Sequence, residues 1–140
     1  MSTENIIEGN KLIAEFMELG WETIKEVCIS NLKKYGHRNP GYLNNPMYWN
    51  CYHSSWDWLM PVVEKIEHLF ESDNTLPLFD INSHFCRFSL GHHEIKEYKQ
   101  WIYGCYITSP EENKCSTKID AAWNVCVEFI KWYNSWKEKQ

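Results

Sequence analysis

From Asn5 to Leu19 the apolar residues Ile6, Ile7, Leu12, Ile13, Phe16 and Met17 fall mainly on one side of a 3.6-residue wheel. This predicts an amphipathic helix with Ser2 or Thr3 as its cap and Gly20 as its stop. Trp21, Ile24, Cys28 and Tyr35 suit a second helix, although Val27-Cys28-Ile29 could equally start a strand. His37-Arg38-Asn39-Pro40-Gly41 and Asn44-Asn45-Pro46 read as loop by their turn chemistry.

Ser54-Ser55-Trp56-Asp57 has the form of a capping box. Ser54 is expected to accept from the Asp57 amide, and the Asp57 carboxylate to reach back to the Ser54 amide. Trp58, Leu59, Val62, Ile66, Leu69 and Phe70 continue an apolar stripe. Pro61 lacks an N–H for the Asp57 carbonyl and predicts a kink there, with a helix start at Pro61 as the alternative.

Between Leu78 and Ile107 the period changes to two. Cys86, Phe88 and Leu90 share one parity with His84, while Phe85, Arg87 and Ser89 share the other. Gly91 to about Lys96 supplies a turn, after which Trp101, Tyr103, Cys105 and Ile107 alternate with Gln100, Ile102 and Tyr106. Apolar residues on both parities predict a sheet covered at least partly on both faces.

Pro110 to Cys115 reads as polar loop, and Thr117-Lys118-Ile119-Asp120 opens a terminal helix to about Trp136. That helix carries two stripes: Ile119, Ala122, Trp123, Cys126, Ile130 and Tyr133, and beside them Val125, Phe129, Trp132 and Trp136. The second is expected either to pack on the first helix or to meet another subunit. No repeat, low-complexity tract or linker divides the chain. The pattern predicts a single α+β domain over residues 1–140: two to four amphipathic helices packed on a small two- or three-stranded antiparallel sheet.

Composition adds an aromatic share of 16%, with eight Trp and eight Tyr, about twice the usual level. A formal charge of −5 argues against extended nucleic-acid binding, which draws its affinity from Lys and Arg. No signal peptide or apolar run of membrane length is present, which predicts a cytoplasmic protein. Six cysteines without a C-x-x-C pair are then expected as free thiols.

The richest candidate binding stretch is Tyr52, His53, Ser54, Ser55, Trp56 and Trp58, where flat rings lie beside hydrogen-bonding groups at a helix N-terminus. Such a site suits a small phosphorylated base, since helix amides receive anions and rings stack on bases. Capping by Ser54 and core packing by the Trp residues is the plainer account. Arg87, flanked by Phe85 and Phe88, is the cation singled out from Arg38, Arg87, Lys96 and Lys99, because a half-buried Arg needs an anionic partner. Cys51-His53-Asp57 as a catalytic triad is disfavoured, and no Gly-rich phosphate loop, nucleophile elbow or H-E-x-x-H is present. His84, Cys86, His92 and His93 lack a metal-specific spacing, so neither a metal nor a cofactor is expected. Phe129, Trp132 and Trp136 are the candidate interface, predicting a homodimer or higher homo-oligomer.

Asn10 to Met17, Tyr52 to Glu67 and Lys118 to Asn134 resemble, as strings, a family of small uncharacterised phage and prophage accessory proteins. The resemblance covers about a third of the chain. It implies an α/β sandwich-like fold and an accessory binder acting on a host system, either sequestering a nucleotide-like signal as a host-defence inhibitor or gripping a host protein. It transfers no catalytic residue.

Overall fold

The computed structural model describes residues 2–69, 78–82, 85–90, 99–104 and 117–139. The fold is α+β, with five α-helices and a three-stranded antiparallel sheet among these residues. The chain divides into two compact units, Met1–Leu59 and Met60–Gln140.

In the first unit, α1 (Thr3–Phe16) begins where the Ser2 hydroxyl accepts the Asn5 amide at 3.2 Å. Its inward stripe is Ile6, Gly9, Asn10, Ile13 and Ala14. The predicted stop at Gly20 is corrected. The chain leaves the helix at Glu18, whose φ of 61° is left-handed. The Glu18 amide donates to Glu15 and the Leu19 amide to Ala14, the pair of bonds that closes a helix C-terminus. Gly20 is instead the N-cap of α2 (Trp21–Lys34), which settles the helix-or-strand alternative as helix. α2 ends in the same motif with Gly36 at φ 93°, its amide donating to Lys33 and the His37 amide to Leu32.

The loop expected over 37–46 contains α3 (Pro40–Leu43), and a 3-10 turn follows at Pro46–Tyr48. Both Asn-Pro pairs are helix starts: the Asn39 and Asn45 side chains accept the Gly41 and Met47 amides, and each Pro fills a position that has no N–H to satisfy. Trp49 anchors this segment, buried against Trp21 with ring centroids 6.0 Å apart and donating its indole N–H to Leu43.

α4 spans Trp56–His68, running through Pro61. The predicted capping box at Ser54 does not form. The Ser55 carbonyl accepts the first helical amides, from Trp58 and Leu59. The Ser54 hydroxyl instead donates to Trp49 at 2.7 Å and accepts the Cys51 amide, because the chain turns tightly at 51–54 before the helix begins. Leu59, Val62, Val63 and Ile66 form the buried stripe of α4.

The second unit carries strands β1 (Leu78–Ile81), β2 (Phe85–Leu90) and β3 (Lys99–Gly104) in the order β1-β2-β3. Register pairs Phe79 with Phe88 and Phe88 with Trp101, so these rings share a face with Cys86 and Leu90. Helix α5 (Lys118–Glu138), capped by the Thr117 hydroxyl on the Asp120 amide, packs on that face. Phe129 lies edge-on to Phe88 and Trp101 at 5.1 and 5.2 Å, and Trp132 lies over Trp101 at 5.4 Å. The second stripe of α5 therefore contributes Phe129 and Trp132 to the cover of the sheet. On the opposite face Ser89 is buried and Phe85 and Arg87 are half-buried, while Gln100 and Ile102 stay exposed. The predicted turn at 91–96, Cys105, Ile107 and the loop at 110–115 lie outside the described residues.

Candidate functional site

Most of the residues picked from sequence are occupied in holding the fold. Tyr52 and His53 are 2% and 7% exposed. Tyr52 meets Trp58 edge-on at 5.3 Å, and the His53 Nδ1 receives the side-chain amide of the fully buried Asn10 at 2.8 Å. The Ser54 hydroxyl is committed to its turn although the residue is exposed, Ser55 precedes α4, and of the candidate rings Trp56, at 37%, presents the most surface. Arg87 lies on β2 in the other unit. Its Nη2 donates to Asp80 Oδ2 at 3.1 Å across the strand pair and its guanidinium sits 5.2 Å from the Phe85 ring. Asp80, also receiving Asn82, is thus the anionic partner that a half-buried Arg requires.

Phe129 is fully buried and out of a partner's reach, whereas Trp132 and Trp136 are half-buried, stacked 5.9 Å apart. Cys86 and Cys126 are fully buried, and burial, with Cys86 nearby, pushes the Cys126 thiol well up. His84, His92 and His93 lie outside the described residues, and among those described no three His, Cys, Asp or Glu side chains gather where they could hold a metal ion.

What the first unit does present is a cleft of about 160 Å³ between α2 and the segment at 48–50. Asn31, Leu32, Lys34 and Tyr35 form one side, Tyr48 and Asn50 the other, and Cys28 is at its floor. Tyr35 is 79% exposed and Tyr48 50%. Tyr48 stands edge-on to Tyr42 at 4.7 Å, and Tyr42 is 5.9 Å from His37, extending a row of rings away from the cleft.

The geometry follows from local signals. The left-handed Gly36 ends α2 just after Tyr35, and Arg38 folds back to donate to the Lys33 carbonyl at 2.6 Å. The Asn45-Pro46 start then places Tyr48 at the end of its turn. No Asp or Glu occurs between Glu26 and Asp57, while Lys33, Lys34 and Arg38 do, so this face is locally cationic in an acidic chain. That acid-free run is the signal sequence reasoning passed over.

At the cleft the Cys28 thiol donates to the Asn50 carbonyl at 3.7 Å, and the neighbouring Cys51 side chain holds the Cys28 thiol below its ordinary value although burial acts the other way. The Cys28 side chain, with burial, pushes the Cys51 thiol far up. Burial, with the Cys51 and Cys28 thiols nearby, pushes the Tyr52 hydroxyl up to about 12.

No helix among the described residues is long and apolar enough to cross a membrane. Comparison with protein families, with curated proteins and with solved structures finds no match for this chain.

Proposed function

We propose that the protein is a non-enzymatic binding module that holds a small phosphorylated, nucleotide-like ligand in the cleft between α2 and the segment at 48–50. The observation that carries this reading is the pair of exposed rings, Tyr35 and Tyr48, lining a cleft with side-chain amides and the cation Lys34, in a stretch free of acids. Aromatic faces stack on any base, Asn31 and Asn50 offer donors and acceptors to its edge, and Lys34 suits a phosphate. The volume of about 160 Å³ is below the roughly 300–1,000 Å³ of sites that enclose a whole ligand. The cleft takes a base and leaves the remainder in solvent. The string resemblance to phage accessory proteins supports a place in a host cytoplasm, withdrawing a nucleotide signal from a defence system.

Thermal unfolding against mono-, di- and cyclic nucleotides tests the proposal. A ligand at a hundred times its Kd adds about 2.7 kcal/mol to native stability. A selective rise in Tm that Tyr48→Ala abolishes is the expected result; no shift across the panel sinks the nucleotide reading. A second reading then gains weight, because Tyr42 and Met47 extend the exposed surface beyond the cleft, at 43% and 48%. Tyr and Met are enriched where proteins meet. In that case the same face grips a host protein, and pull-downs lose their partner on Tyr42→Ala.

A further inference from the structure

We propose that the face carrying the cleft takes a short single-stranded polynucleotide, about three nucleotides long, with its bases stacked on a row of rings and its phosphates met by Lys33, Lys34 and Arg38. The first base occupies the cleft and so rests on the reading given above; the second and third lie outside it. The row starts at Tyr35 and Tyr48, which line the cleft, and continues through Tyr42 to His37. Neighbouring centroids are 4.7 and 5.9 Å apart along it. Both steps exceed the ~3.4 Å rise per nucleotide of a stacked strand, so a slightly extended strand can set successive bases on successive rings. Tyr and His rings are the side chains on which unpaired bases stack. All four are exposed, which a core aromatic cluster is not.

The charge along this face matches a phosphodiester strand. Residues 27–56 contain Lys33, Lys34 and Arg38 and no Asp or Glu, although the whole chain carries a charge of −5. The three cations are exposed, and among the described residues none of them is held in an ion pair. Arg38 Nη1 donates to the Lys33 and His37 carbonyls, which fixes the guanidinium beside the His37 end of the row. Its Nη2 and Nε make no hydrogen bond to a described residue and can serve a phosphate. Lys33 and Lys34 flank the Tyr35 end. Cations in the last turn of a helix also suit its dipole; the adjoining line of exposed rings is what that account leaves unexplained. Only three cations serve the site, so it is short, in keeping with a chain too acidic for extended nucleic-acid binding.

Isothermal titration of the whole protein with oligothymidylates of one, three and six nucleotides tests this, with matching oligouridylates separating DNA from RNA. Affinity should rise at least about 25-fold from one nucleotide to three, since each stacked base is worth roughly fivefold or more, and then level off at six. Three phosphate-binding cations predict a slope of log K against log salt of roughly −2, a loss of about 15- to 20-fold between ~50 and ~200 mM salt. Tyr42→Ala should weaken the trinucleotide by about fivefold or more. Equal affinity for one and three nucleotides overturns the strand proposal and leaves the cleft reading standing. A trinucleotide that binds while the mononucleotide does not supports the strand and sinks the cleft reading. No binding at any length overturns both, and a hairpin duplex that binds as tightly as the trinucleotide overturns stacking on the rings. The length series and the salt slope are read on the wild-type chain, whether or not the variant folds.

Discussion

Replacing Phe129 by Ala tests whether the aromatic cluster of the second unit is core. The ring is fully buried and meets Phe88, Trp101, Trp132 and Tyr133 at centroid distances of 5.1 to 5.8 Å. Truncating a buried Phe to Ala costs about 3–5 kcal/mol, the transfer of the ring plus the cavity it leaves. The upper half of that range is expected, because each lost aromatic pair adds about 0.5–1.5 kcal/mol. Domains are stable by only about 5–15 kcal/mol, so a large share disappears. At roughly 3–4 °C per kcal/mol for a chain of this size, Tm should fall by roughly 10–20 °C. Urea unfolding followed by Trp fluorescence reads this directly, since Trp101 and Trp132 flank the deletion. Trp136→Ala, at the half-buried end of α5, is the comparison and should cost under about 1.5 kcal/mol. A loss below about 1 kcal/mol at Phe129, or equal losses at the two positions, would refute the packing of α5 on the sheet.

Glu18→Gly should stabilise the protein by about 1 kcal/mol in urea unfolding, because the left-handed backbone at φ 61° costs a residue with a Cβ and not glycine; a destabilised variant would sink that reading of the α1 terminus. Tyr52 should make stability fall between about pH 10 and pH 12. Its folded value of about 12 exceeds the unfolded value near 10, so the native state keeps a proton that the unfolded chain releases. At about 1.4 kcal/mol per unit the loss is roughly 2–3 kcal/mol, and Tyr52→Phe should remove it; an unchanged alkaline slope in that variant would contradict the assignment. If the half-buried pair Trp132 and Trp136 joins two copies, light scattering should give twice the chain mass for wild type and the single-chain mass for Trp136→Glu; equal masses would refute the homodimer.

Periodicity carried the elements whose partners are near in sequence. The stripe of α1, the Thr117 start of α5 and the alternation of Cys86, Phe88 and Leu90 are visible because a helix or strand must place its apolar residues on one side whatever covers them. Signals that several neighbouring residues can satisfy were assigned to the wrong one. Ser54 and Ser55 both suit an N-cap, and the turn at 51–54 draws the Ser54 hydroxyl away. Gly20 and Glu18 both stand after α1, and the helix closes on Glu18 while Gly20 stands as the N-cap of α2.

The candidate site was less legible for a related reason. Tyr52 and Tyr48 are the same residue type four positions apart, yet one is 2% and the other 50% exposed. Which ring faces water depends on where α1 and α2 lie against the segment at 46–53, a set of contacts between residues distant along the chain. The sequence by itself determined the α+β class, the amphipathic faces and the acid-free run between Glu26 and Asp57. Only the tertiary structure decided that Tyr52, His53 and Phe129 are interior, that Arg87 is held by Asp80, and that Tyr35 and Tyr48 open a cleft over Cys28, because burial is a property of what packs on a side chain and not of the side chain itself.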